Sequence, residues 1–165
     1  MNPSPTPSPL KLPLPNVLAF DVFGTVVDWH SSIARELQAL RPGVDAATAD
    51  AFALAWRAGY VPAMRRVMSG ELGWTLIDDL HRLILDDILP TFNLTDLTEV
   101  QKQQINLAWH RLDAWPDVVA GLTRLKSKFT ICTLSNGNIG LLTDMAKRAA
   151  LPWDCVLSAE VFRAY

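Results

Sequence analysis

Two short apolar runs, far apart in the chain, each end in a polar, glycine-bearing turn, and this feature constrains the fold most. The first is Val17–Asp21, followed by Gly24; the second is Phe129–Leu134, followed by Ser135, Asn136 and Gly137. Apolar, β-compatible runs of this length read as buried strands. A lone buried strand cannot stand, so the two belong to one sheet. Cys155–Ser158 is a third run of the same kind.

Between the first two runs the apolar period is helical. Trp29, Ile33, Leu37 and Leu40 form one stripe, stopped by Pro42 and Gly43. Phe52, Trp56, Tyr60, Ala63 and Val67 share a face and predict one long helix from about Ala46 to Met68. Leu76, Ile77, Leu80, Leu83, Ile84 and Ile88 predict a third helix over about 74–89. A fourth starts at Thr98, where Thr98 and Gln101 have the spacing of a capping box. Further on, Val118, Val119, Leu122 and Leu125 predict a short helix over 116–127. Asn138 is placed to cap another, with Leu141, Leu142 and Met145 inward.

The order is therefore strand, four helices, then helix, strand, helix, strand. Later βα units imply an α/β fold with a parallel sheet and helices packed on it. The three strands are expected to be parallel neighbours, with the first flanked by the sheet of the other two. Residues 16–27 and 113–165 form the core on this reading, and 28–112 form a helical insert after the first strand. Residues 1–15 alternate with prolines and carry no hydrophobic block, so they read as a disordered or extended leader rather than a signal peptide.

Composition narrows the function. Fifteen Lys and Arg against 17 Asp and Glu give a net charge of −2, and half the residues are apolar. An intrinsically disordered chain has the opposite balance. A nucleic-acid or anionic-membrane binder needs a basic field, which is missing. No apolar run approaches the roughly 18–20 residues of a membrane span. Cys132 and Cys155 belong to no metal pattern and read as reduced core thiols of a cytoplasmic protein. His30, His81 and His110 are scattered, which speaks against zinc.

In open α/β sheets, ligands bind at the carboxyl ends of the strands. Asp21 and the pair Ser135–Asn136 both fall at such ends. A carboxylate there can act as a covalent nucleophile, or it can merely cap a turn. Thr25, four residues on, can hydrogen-bond back to it. Ser135 and Asn136 offer hydrogen-bond donors, or simply a loop before a helix. Arg57 lies beside the buried stripe of an insert helix. It is either a fixed cation in a cleft or a solvated surface residue. Arg65 and Arg66 read as surface residues.

Phe20–Asp28, then Ala55-Trp56-Arg57, then Leu134–Asn138 resemble, in order, the motifs of the haloacid dehalogenase superfamily, and within it the type II 2-haloacid dehalogenases. The resemblance covers about residues 16–165. It implies a Rossmann-like core with a helical cap inserted after the first strand. It implies hydrolysis of the carbon–halide bond of short 2-haloalkanoic acids, giving 2-hydroxy acids through an ester on Asp21. Thr25 and Ser135 would position Asp21 or the substrate carboxylate, and Asn136 and Arg57 would hold the departing halide. Val22 and Phe23 would line the substrate pocket, with Tyr60 and Val61 beside them. No cofactor and no metal are implied, and the full-length form would be a homodimer.

Phosphatases of the superfamily carry Asp-x-Asp-x-Thr at the first motif, whose second Asp protonates an alkoxide. Here that position is Phe23, which donates no proton. A halide leaves as a stable anion and needs only charge stabilisation. Family members also continue beyond a stretch like Phe162–Tyr165 with Lys-Pro and an acidic motif. On the resemblance, this chain is the N-terminal portion and is expected to be inactive by itself.

Overall fold

The computed structural model describes residues 14–165; most of the predicted leader lies outside the described residues. Three strands form a parallel sheet: β1 (Val17–Phe20), β4 (Thr130–Ser135) and β5 (Cys155–Ser158). The middle strand is β4, not the first strand as the sequence suggested; the order is β1-β4-β5. Val17 pairs with Thr130 and Phe20 with Thr133, while Cys132 pairs with Cys155 and Ser135 with Ser158. β4 is the most buried of the three strands, with Ile131 and Thr133 fully enclosed. That burial fits its central place, because a central strand is covered along both edges.

Helices α6 (Val118–Lys126) and α7 (Ile139–Arg148) pack on this sheet through Leu122, Leu141, Leu142 and Met145. Val119, predicted inward, is exposed instead. A four-residue helix, α8 (Ala159–Phe162), follows β5.

The long segment between β1 and α6 is helical. It holds α1 (Trp29–Leu40), α2 (Ala46–Ala58), α3 (Tyr60–Met68), α4 (Ile77–Ile88) and α5 (Glu99–Asn106), with 3-10 turns at Leu89–Phe92 and Leu107–Arg111. Its base is closed by a two-stranded antiparallel ribbon, β2 (Val27–Asp28) with β3 (Asp113–Ala114). Two residues per strand are too few for an alternating apolar pattern, so the ribbon left no mark on the sequence.

The predicted helix over 46–68 is two helices. The chain turns at Gly59, where an added Cβ would stand 2.4 Å from Cγ2 of Ile84. The absence of a side chain there lets α4 approach the α2–α3 junction closely. Leu83, assigned inward by its spacing, is 41% exposed, because α4 buries Ile77, Leu80, His81, Ile84 and Leu85. The capping box forms as predicted: Thr98 Oγ1 accepts from Gln101 N, and Thr98 N donates to Gln101 Oε1.

The insert has its own aromatic core. Trp56 and Trp109 meet edge to face at 5.5 Å, and Phe52 meets Trp56 at 5.4 Å. Trp56 Nε1 donates to the carbonyl of His81 at 2.9 Å, which satisfies its polar edge in the interior. No helix among the described residues is long and apolar enough to cross a membrane. Cys132 is buried but Cys155 is exposed, so only one of the two thiols is the core residue the sequence suggested.

Candidate active site

β1 ends at Phe20, and Asp21 is the first residue beyond it. The chain then folds into a tight loop. Val26 N and Val27 N both donate to Val22 O, and Gly24, at φ +94°, donates to Val27 O. The left-handed conformation at that point suits glycine. The loop brings Thr25 back onto the carboxylate, and Thr25 Oγ1 donates to Asp21 Oδ2 at 2.9 Å. Asp21 is thus exposed and held in place by a local hydrogen bond.

β4 delivers Ser135 and Asn136 beside it. A cavity of about 240 Å³ is lined by Asp21, Leu134, Ser135, Asn136, Ser158, Ala159, Phe162 and Ala164. Ser135 Oγ accepts from Gly137 N at 3.2 Å, which holds the loop turn. Ser158 Oγ donates to Gly137 O at 2.6 Å and accepts from Glu160 N at 3.0 Å. The ends of β4 and β5 are therefore laced together around the cavity. The sequence reading missed Ser158, although the strand-end rule that singled out Ser135 applies equally to the third strand.

The insert contributes Tyr60 and Arg57. The Arg57 guanidinium lies 4.2 Å from the ring centroid of Tyr60 and 5.8 Å from that of Trp29. Such stacking suits a planar guanidinium and fixes its direction. Burial pushes the Tyr60 phenol up; the nearby Asn136 side chain and the Arg57 charge oppose this, while the Asp21 charge adds to it. Arg57, Asn136 and Asp21 thus all lie near enough to Tyr60 to act on its phenol, across the boundary between insert and sheet. Arg57 itself does not line the cavity.

Other predicted residues fall differently. Phe23 packs against Trp109, with centroids 6.3 Å apart, and against Gly137, where an added Cβ would lie 3.0 Å from the Phe23 ring. It walls the loop rather than the cavity. Val22 is 1% exposed and belongs to the core, and Val61 is 46% exposed on α3, so neither is placed as a pocket residue. Arg65 and Arg66 are exposed, as read from the sequence.

The histidines are less scattered than their spacing suggested. His81 is fully buried and stacks on Trp109 at 4.2 Å. Burial is the main cause that pushes its imidazole down to about 3, with the charges of Arg57 and His110 assisting and that of Asp78 opposing. His110 lies between Asp78 and Asp144. Among the described residues, no group of three or more His, Cys, Asp or Glu side chains is arranged to hold a metal ion.

A parallel sheet with a carboxylate at the end of its first strand, a Ser-Asn turn at the end of the next, and a helical insert leaning over both defines a haloacid dehalogenase-type protein. Comparison with known proteins agrees. The chain is 30% identical over 152 residues to (S)-2-haloacid dehalogenase 4A of Burkholderia cepacia, a match spanning 88% of this chain and 62% of that protein. It superposes on the crystal structure of a defluorinating L-2-haloacid dehalogenase with a TM-score of 0.86 at 39% identity, covering 98% of this chain and 67% of the other. A second L-2-haloacid dehalogenase structure gives a TM-score of 0.84 at 41% identity, covering 93% of this chain and 65% of the other. No family model matches the chain. The chain belongs to the 2-haloacid dehalogenase family of the haloacid dehalogenase superfamily, and it spans less than two thirds of the length of the curated relative it matches.

Proposed function

We propose that the chain acts in the hydrolytic dehalogenation of short 2-haloalkanoic acids, with Asp21 as the nucleophile. The observation that carries this reading is the exposed Asp21 carboxylate, oriented by Thr25 at the mouth of a cavity that also holds Ser135 and Asn136. An Asp21 oxygen attacks C2 of the substrate, and the carbon–halogen electron pair leaves with the halide. The product of this step is an ester between Asp21 and the 1-carboxyalkyl group. Water then attacks the ester carbonyl, the acyl–oxygen bond breaks, and the 2-hydroxy acid departs with C2 inverted.

The insert acts as a cap in this reading. Asn136, in the cavity lining, stabilises the departing halide, and Arg57, held flat on Tyr60 outside that lining, adds its positive charge at longer range. The laced ends of β4 and β5 wall the site. Phe23 also stands where a phosphatase of the superfamily carries its proton donor, which favours a halide over an alkoxide as leaving group.

The test is intact mass after incubation with 2-chloropropionate, followed by peptide mapping. A 1-carboxyethyl adduct on Asp21, formed once and without sustained chloride release, is expected in the chain, and no adduct in Asp21→Asn. Release of phosphate from a generic phosphomonoester with magnesium, without any adduct from the haloacid, would refute the reading.

A further inference from the structure

His110 closes a junction that nothing in the site chemistry uses. It sits in the 3-10 turn at the end of the insert. Its Nε2 lies 3.1 Å from both carboxylate oxygens of Asp78 on α4, and its Nδ1 lies 2.9 Å from Asp144 Oδ2 on α7. A carboxylate accepts hydrogen bonds but donates none, so a ring facing a carboxylate at each nitrogen needs both N–H groups. That geometry calls for an imidazolium. The His110 side chain is only 12% exposed, so water screens these contacts weakly.

Asp78 is held from the other side as well. Asn138 Nδ2, from the turn that follows Ser135 and Asn136, donates to Asp78 Oδ2 at 2.8 Å. Asn138 occupies the N-cap position of α7, but its side chain makes no capping bond and is spent on the insert. Asn106 Nδ2 of α5 donates to the Asp78 carbonyl at 3.0 Å. Asp78 thus joins α4 of the insert to the loop that carries two residues of the site, and Asp144 joins His110 to the helix that this loop begins.

We propose that Asp78, His110 and Asp144, with Asn138, form an ionic clasp that seats the helical insert on the strand-end loop and so positions Arg57 and Tyr60 over Asn136 and Asp21, and that the clasp loosens when His110 loses its proton. The proposal rests on the cap reading only for what the clasp positions. His110, Asp78 and Asp144 are positioning residues.

The surroundings leave His110 as the group that titrates. From α4 it faces Asp78 and His81, and from α7 it faces Asp144. On α1, Glu36 is turned to Arg111, and on α7, Arg148 is turned to Asp113. From α5 comes the neutral Asn106. Burial alone would lower the His110 pKa, but hydrogen bonds and charge from Asp78 and Asp144 raise it above the ordinary value near 6.5. Burial acts to raise Asp78, but the hydrogen bonds from His110 and Asn138 and the His110 charge outweigh it and hold it below the usual carboxylate range. A raised histidine pKa means the clasp is complete below the ordinary value and is lost as pH climbs through the folded one. Other polar contacts cross the same boundary: Tyr165 Oη donates to Thr75 O at 2.6 Å, Asp113 N donates to Ser32 Oγ at 3.0 Å, and Arg35 reaches Asp113 at 2.8 Å. Burial pushes the Tyr165 phenol up, and an Arg stays charged, so neither changes state between about pH 6 and 9.

The experiment places spin labels at Val100→Cys in the insert and Lys128→Cys beside the sheet, in a Cys155→Ser background, and measures their separation by double electron–electron resonance. A single narrow distribution is expected at about pH 6, and a broader, longer one at about pH 9. The change should follow the His110 titration read by NMR. His110→Gln should be broad at both pH values. Asp144→Asn, at a carboxylate that is 60% exposed, should keep the fold and move the transition to lower pH. Identical narrow distributions at both pH values, in the unchanged chain and in His110→Gln, would overturn the proposal. If His110→Gln does not fold, an unmoved transition in Asp144→Asn overturns it instead. The distances need no turnover, so absence of an Asp21 adduct with an intact pH response would count against the function alone.

Discussion

Gly59→Ala examines how tightly the insert holds Arg57 and Tyr60. Gly59 lies between them, at the junction of α2 and α3, with ordinary helical backbone angles. On backbone grounds alone alanine would be favoured there by about 0.4–1 kcal/mol, because it restricts the unfolded chain. Space decides against it. The new methyl would meet Ile84 Cγ2 at 2.4 Å, Cγ1 at 3.1 Å and Cβ at 3.3 Å. Three contacts to one residue cannot all be relieved by a single rotamer change, and Ile84 is only 5% exposed. Overpacking of this kind costs about 1–3 kcal/mol. The net loss is then about 1–2 kcal/mol, read as a lower urea midpoint with an unchanged slope. Ile84→Ala removes both Cγ atoms and by itself costs about 2–5 kcal/mol through the cavity it leaves. The double variant should be less destabilised than the sum of the singles, by about 1 kcal/mol or more, because the new methyl fills part of that cavity. A Gly59→Ala chain as stable as the parent, with additive singles, would show that α4 does not wedge the α2–α3 junction.

Three further outcomes are expected. Arg57→Lys keeps the charge but loses the flat stack on Tyr60, and should slow ester formation on Asp21 about tenfold in a rapid-quench mass measurement. His81 is held neutral by burial, with its pKa pushed below the unfolded value, so it contributes stability above about pH 6.5 that is lost as pH falls toward its folded value. Thermal unfolding of His81→Phe should accordingly be less acid-sensitive than that of the parent over that window. Thr98→Ala removes both hydrogen bonds in which the Thr98 hydroxyl takes part and should lower stability by about 1 kcal/mol in urea titration.

Elements whose cause lies within a few residues were legible in the chain. The strand runs, the helical stripes and the Thr98–Gln101 box depend on side-chain period and on neighbours one turn away, so a short window contains the physics. The same holds for the Asp21–Thr25 contact, which one loop creates. The boundary at Gly59 was legible in part, because Pro62 has no N–H to bond Ala58 O, but the close approach of Ile84 from another helix was not. Nor was the middle position of β4, since strand order depends on which faces are buried after packing. Leu83 had the right spacing for the core, yet it points outward because α4 presents a neighbouring arc of its surface. The largest gap concerns His81 and His110. Separated from their partners by 25 to 34 residues, Trp56 and Asp144 respectively, they read as scattered singles. Only the folded chain sets one imidazole in a dry aromatic core and the other between two carboxylates, and the field at each ring depends on that distant company.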